Sequence, residues 1–136
     1  VKIGVMMLNK GVWNGNQIVS ENWVDKCITP YSGNRNIKIP GEDLGKEGYA
    51  YTWWTKSFDY RGKSIHWYSA LGWGGQKISI LPKSDMVIVF TGGNYTSKVH
   101  HFEIMERFIL IPLATSPPVV QQRKVNQLAE LRCPTL

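Results

Sequence analysis

One short segment of the sequence combines residue types that could support catalysis. It contains three glycines within four residues, so the backbone could approach a ligand closely and present N–H groups without a Cβ in the way. Exposed backbone N–H groups of this kind stabilise the oxyanion formed during acyl transfer. A bulge or a tight hairpin also uses glycine, and composition alone favours that structural interpretation. The segment consists of Ala70, Leu71, Gly72, Trp73, Gly74, Gly75 and Gln76.

Few other side chains in the sequence are candidates for chemistry. Gln76 could form a hydrogen bond across its strand or into a cleft, and the residue types leave both alternatives open. His66 is a candidate general base, although a single histidine in a strand is more often structural. His100 and His101 fall on a predicted helix and are expected at the surface.

Composition excludes several classes of protein. The 136 residues are enough for one hydrophobic core, and 43% hydrophobic with 19% charged residues is typical of a globular protein. The net charge of +6 is spread along the chain, so we predict no nucleic-acid partner. No apolar run reaches the roughly 20 residues needed to span a bilayer. Cys27 and Cys133 lack zinc-site spacing, and we predict no metal site.

Hydrophobic periodicity predicts helices at both ends of the sequence. Apolar residues recur at helical spacing near the start, in the segment after Ser20, and again after the last predicted strand. Ser20 is a typical N-cap, and Trp23, Val24, Cys27 and Ile28 form one apolar face. We predict helices at residues 1–8, 21–29 and 97–113, the last ending at Pro112.

The middle of the sequence has a period of two, typical of strands. We predict strands at residues 49–54, 65–71, 77–81 and 86–91, and we expect the last to be buried on both faces. Residues 82–85 form a tight turn, which makes the last two strands an antiparallel hairpin. Residues 31–47 are expected to form a loop. The order of elements predicts an α+β fold, an antiparallel sheet with packing helices, in a domain at 1–113 followed by a tail at 114–136.

Several segments resemble serine hydrolases related to the β-lactamases. Residues 7–20 resemble a helix, short turn and second helix of that family, and residues 49–54 are similar to its Tyr-Gly-Tyr-x-Trp-Trp strand. Residues 70–82 and 86–91 are similar to its Gly-x-Gly-Gly-Gln strand and closing hairpin, and residues 106–112 to its C-terminal helix. The chain therefore resembles the C-terminal part of class C β-lactamases, penicillin-binding proteins and family VIII esterases, with the β-lactamase/transpeptidase-like fold.

The resemblance implies roles for the glycine-rich segment. In that family a Ser-x-x-Lys motif supplies the nucleophile, yet no serine here precedes a lysine by three residues. The nucleophile is therefore expected in an N-terminal part of the same protein. Gly72 and Trp73 become catalytic residues, with the Trp73 N–H as one oxyanion donor. The residues expected to contact substrate are Ala70, Leu71, Gly74, Gly75 and Gln76.

The resemblance also bears on the substrate. Ala70 stands where the lactamases carry the Lys of Lys-Thr-Gly. The absence of that lysine disfavours binding of a β-lactam carboxylate, so a small-molecule or peptide-like ester or amide is expected as substrate. The family resemblance also implies no cofactor and a periplasmic or extracytoplasmic location. A non-catalytic binding or scaffold relative of the same fold remains an alternative. A basic, aromatic-lined polymer binder is a third.

Overall fold

The computed structural model describes residues 1–31, 48–96 and 101–116. Within these ranges the chain forms a five-stranded antiparallel sheet with helices, and a separate two-stranded ribbon. The predicted α+β class with an antiparallel sheet is confirmed. Residues 32–47 of the predicted loop, His100 and the tail from residue 117 lie outside the described residues.

The elements follow in simple order along the chain. The helices are α1 Lys2–Leu8, α2 Glu21–Ile28, α3 His101–Met105 and α4 Ile111–Thr115. The strands are β1 Val12–Trp13, β2 Asn16–Gln17, β3 Gly48–Ala50, β4 Trp53–Tyr60, β5 Lys63–Leu71, β6 Lys77–Leu81 and β7 Met86–Phe90. The five-stranded sheet runs β3-β4-β5-β6-β7, so each strand pairs with its neighbour in sequence.

The sheet separates two apolar clusters. Because side chains alternate along β5, Tyr68 and Trp67 point to opposite faces. On one face α1 and α2 contribute Met7, Val24 and Cys27 to a cluster with Tyr68, which we call the first core cluster. On the other face the C-terminal helices pack Phe102, Met105 and Leu110 against Trp67 and Leu81. The helices therefore cover both faces of the sheet.

The start of α2 follows the prediction. The Ser20 hydroxyl accepts a hydrogen bond from the Trp23 N–H at 3.3 Å, as an N-cap does. Val24 and Cys27 are buried, but Trp23 is 45% exposed, so its place on the buried face was wrongly predicted. The Trp23 ring instead lies 4.7 Å from that of Tyr51, between ring centroids.

The predicted strand at 49–54 is wrong, because the chain reverses there. Tyr51 and Thr52 have φ angles of 44° and 75° and connect β3 to β4 as a hairpin. This left-handed backbone costs roughly 1–2 kcal/mol per non-glycine residue. The rings of Trp23 and Tyr31 pack on Tyr51 and stabilise the turn. This turn adds the fifth strand to the sheet.

The last part of the chain differs from the prediction in three respects. All five residues of β7 are half-buried, because β7 is an edge strand of the described sheet. The helix does not end at Pro112, since a π-helical turn at Glu106–Leu110 leads into α4, and Pro112 is the second residue of α4. His101 is half-buried and stacks on Phe90, with ring centroids 4.4 Å apart.

Candidate functional site

The glycine-rich segment forms the connection between β5 and β6, which we call the glycine loop (residues 72–76). Its base is closed by a hydrogen bond from the Gly72 N–H to the Gln76 carbonyl oxygen, at 2.8 Å. A second bond, from the Gly75 N–H to the Gly72 carbonyl oxygen at 3.2 Å, tightens it further. Gly75 has a φ of 86°, where a side chain would be strained.

A second loop lies against the glycine loop. It follows β7 and spans residues 91–96, which we call the neighbouring loop. The Asn94 N–H donates to the Gly74 carbonyl oxygen at 2.9 Å. The Gln76 carboxamide donates through Nε2 to the Gly92 carbonyl oxygen, and its Oε1 accepts from the Gly74 N–H at 3.1 Å. The Gln76 side chain therefore makes contacts between the two loops, where the sequence had left open a hydrogen bond across its strand or one into a cleft.

Close packing explains two of the glycines in the loop. A Cβ on Gly74 would lie 2.6 Å from Cε1 of Tyr95, and one on Gly72 would lie 2.5 Å from Oε1 of Gln76. On the opposite side, a Cβ on Gly92 would lie 2.8 Å from the Gly74 carbonyl oxygen. The two loops approach each other at backbone distance, which a side chain would prevent.

The tip of the glycine loop is open to solvent. Trp73 is 86% exposed, and Gly72 is exposed beside it, whereas Gly74 and Gly75 are buried. Within the part of the chain that the structure describes, the Trp73 backbone N–H donates to no protein acceptor. The loop therefore presents one free N–H donor on a constrained backbone, a geometry suited to a developing negative charge.

The remaining predicted site residues lie nearer the interior. Ala70 is half-buried, pairs with Ile78 and packs its methyl group against the first core cluster. Leu71 is half-buried opposite Lys77 at the end of β5. Of the seven residues predicted to form the site, the structure exposes Gly72 and Trp73.

The tyrosine on β5 has a structural role. The Tyr68 hydroxyl donates to the Met7 carbonyl oxygen at 3.3 Å and so connects α1 to the sheet. Burial, followed by the nearby Asp25 and Cys27, raises the pKa of Tyr68 to about 12. The phenolate needed to activate a nucleophile is therefore disfavoured.

His66 forms a cross-strand pair with Ser57. The His66 Nδ1 and the Ser57 Oγ are 2.7 Å apart, and the two residues are register partners on β5 and β4. They line a cavity of about 310 Å³ together with Thr55, Tyr68 and Pro82, among others. No carboxylate within the described ranges contacts the His66 ring, so the third group that orients a histidine base is missing there.

Sequence reasoning missed the contact between the neighbouring loop and the glycine loop. Gly92 and Tyr95 contact the glycine loop although about 20 residues separate them along the chain. The run Gly92-Gly93-Asn94 after an apolar strand was the available signal for a second tight connection.

In the ranges described, no group of three or more His, Cys, Asp or Glu residues could hold a metal ion, and no helix is long and apolar enough to cross a membrane.

Comparison with known proteins identifies no family for this chain. No protein-family model matches it, and no curated protein matches it significantly.

Proposed function

We propose that this chain is the C-terminal part of a serine hydrolase of the β-lactamase and penicillin-binding-protein-like family. In this proposal the sheet forms one wall of the active site, with the β-lactamase/transpeptidase-like fold. The Trp73 N–H serves as one donor of the oxyanion hole. The observation that carries the proposal is that this N–H is free of protein acceptors, at the exposed tip of a loop whose backbone is held on both sides.

A serine elsewhere in the parent protein supplies the nucleophile in this proposal. The 136 residues contain no Ser-x-x-Lys motif, and Ser57, beside His66, lacks a carboxylate partner for the histidine among the described residues. An oxyanion hole also needs a second donor, and in this family it is the N–H of the nucleophilic serine. An N-terminal part of the same protein is therefore the partner of this chain.

The substrate is an ester, amide or peptide-like molecule. Where the lactamases have a lysine to hold a substrate carboxylate, this chain has Ala70, whose methyl group packs on the first core cluster. An anionic β-lactam would thus lack a charge partner at this position.

A backbone substitution tests the oxyanion role directly. Incorporating the α-hydroxy analogue of tryptophan at position 73 of the full-length protein replaces the N–H by an ester oxygen and keeps the indole. We expect kcat for p-nitrophenyl esters to fall about 10²- to 10³-fold, with little change in KM. Trp73→Ala is the matched control, because it removes the indole and keeps the N–H. Equal loss in both variants would contradict the proposal.

Active-site labelling, together with ester hydrolysis, separates an enzyme from a non-catalytic scaffold. We expect a fluorophosphonate probe to label a serine of the full-length protein outside these 136 residues. The 136-residue chain alone should give background hydrolysis. Saturable turnover by this chain alone would show that the nucleophile lies within it. A full-length protein that neither reacts with the probe nor hydrolyses esters would support the non-catalytic binding or scaffold alternative.

A further inference from the structure

The Gln76 side chain links the glycine loop to the neighbouring loop. Its Nε2 donates to the Gly92 carbonyl oxygen, and its Oε1 accepts from the Gly74 N–H at 3.1 Å. Its backbone carbonyl oxygen also accepts from the Gly72 N–H at 2.8 Å. One half-buried residue thus contacts both peptide neighbours of Trp73 and the facing loop.

These contacts bear on the direction of the Trp73 N–H. The Trp73 N–H lies in the peptide plane that joins Gly72 to Trp73, and the following plane carries the Gly74 N–H, so Trp73 stands between two glycines. Glycine leaves both positions conformationally free unless other bonds restrain them. Gln76 bonds to the N–H of each, and Tyr95 packs over Gly74. The bond from the Gly75 N–H to the Gly72 carbonyl oxygen restrains the plane that carries the Trp73 N–H, and the bond from the Gly74 N–H to the Gln76 Oε1 restrains the plane that follows.

We propose that Gln76 is a positioning residue, whose carboxamide holds the two loops together and restrains the peptide plane that follows Trp73, so that the Trp73 N–H keeps its direction toward the oxyanion. The loop-bracing part of this inference depends only on the contacts above. Its catalytic consequence rests on the proposed function. The two parts are tested separately, so that either can fail alone.

We call the contacts of the Gln76 carboxamide with Gly74 and Gly92 the brace. The brace requires a hydrogen-bond donor and an acceptor at the end of one side chain. A carboxylate at position 76 has no proton to donate to the Gly92 carbonyl oxygen and is repelled by it, so the side chain would turn away and release the Gly74 N–H as well. Protonation restores the donor. The pKa of a glutamate in Gln76→Glu is therefore raised by folding above its unfolded value of about 4.3. The brace should be intact below that value and lost as pH rises through the raised pKa.

Amide hydrogen exchange in the 136-residue chain tests the brace. We expect the Gly74 amide to exchange about tenfold faster in Gln76→Ala than in the unmodified chain, because one hydrogen bond is lost. In Gln76→Glu the Gly74 exchange should match the unmodified chain near pH 4, after correction for intrinsic rates, and exceed it by pH 7. Unchanged Gly74 exchange in Gln76→Ala would overturn the proposal. The two variants together distinguish loss of the brace from a folding defect, because a misfolded Gln76→Glu would not match the unmodified chain near pH 4.

Kinetics of the full-length protein test the positioning role. We expect Gln76→Ala to lower kcat about ten- to hundredfold at nearly constant KM. In Gln76→Glu, the ratio of its kcat to that of the unmodified enzyme at the same pH should rise as pH falls. An increase in KM at constant kcat would overturn positioning and make Gln76 a substrate-binding residue.

Gln17 offers a matched control. Its carboxamide also bonds to backbone carbonyl oxygens, those of Lys10 and Val19, but at the β1–β2 ribbon. Gln17→Ala should leave kcat within a few fold of the unmodified enzyme. An equal loss of kcat in Gln17→Ala and Gln76→Ala would overturn the positioning role. If the unmodified full-length protein hydrolyses nothing, the proposed function fails, and the Gly74 exchange still decides the brace.

Discussion

The two connections on either side of β6 reverse the chain within one sheet, yet they are built differently. The β6–β7 connection is a 3-10 turn at Pro82–Ser84, closed by a hydrogen bond from the Asp85 N–H to the Pro82 carbonyl oxygen at 3.2 Å. Asp85 provides the left-handed residue, with φ 48° and ψ 46°. This turn reverses the chain with one proline and one local hydrogen bond.

The β5–β6 connection has more residues and contacts than are needed to reverse the chain. Its three glycines and Gln76 hold a second loop at backbone distance and leave Trp73 at the tip. Glycine-rich composition alone suits both a simple turn and a ligand-binding loop. The difference between the two connections shows that the extra residues serve the contact between loops and the exposed tip.

Among substitutions in the two connections and the neighbouring loop, the largest effect should come from closing the space between the loops. A Cβ on Gly92 would meet backbone atoms only, the Gly74 carbonyl oxygen at 2.8 Å and Gly75 at 3.3 Å, which cannot rotate away. We expect Gly92→Ala to lower the free energy of unfolding by about 1–3 kcal/mol, measured by denaturant titration. Gly93→Ala is the control, because its Cβ would meet only Tyr95, at 3.9 Å. Similar losses in both variants would show that the loops are not closely packed.

A smaller effect should distinguish the left-handed residues of the two connections. We expect Gly75→Ala to cost about 1–2 kcal/mol, since φ at this position is 86°. Asp85→Gly places glycine in a conformation it adopts easily, and should change the free energy of unfolding by about 0.5 kcal/mol or less. Thermal melting of both variants checks this. If Asp85→Gly proved the more damaging change, the β6–β7 turn would be the more constrained connection.

The smallest effect on stability should come from the loop tip. Trp73→Ala should alter the free energy of unfolding by no more than about 0.5 kcal/mol, because the indole is 86% exposed. Trp53→Ala, in the first core cluster and 8% exposed, should cost about 3–5 kcal/mol. Urea titration of the two variants compares them. A large loss in Trp73→Ala would mean that the indole packs on the protein, which would weaken the case for an open tip.

Local signals predicted the part of the fold that depends on neighbours in sequence. The β6 strand at Lys77–Leu81, the Pro82 turn and the Ser20 cap were predicted correctly, since turn chemistry and capping act within a few residues. The turn at Tyr51 and Thr52 was missed because neither residue is a turn former. Its left-handed backbone depends on aromatic rings from other parts of the chain.

The candidate site was predictable only in part for a similar reason. Composition identified the glycine loop, and the sequence contains no Ser-x-x-Lys motif. The contact between Gly92 and the glycine loop required the β5–β6–β7 register, which places residues far apart in sequence side by side. The same register pairs Ser57 with His66 across β4 and β5.

The sequence by itself determined the α+β class, the closing hairpin and the position of the glycine-rich segment, because strand periodicity, caps and turns are local properties. Tertiary structure alone decided which part of that segment is available to a ligand. It buries Gly74 and Gly75 under Tyr95 and the neighbouring loop, turns Gln76 inward, and leaves Trp73 exposed with its N–H free of acceptors among the described residues. Exposure and hydrogen-bond satisfaction depend on what packs against a residue, and that packing is fixed only when the strands are assembled.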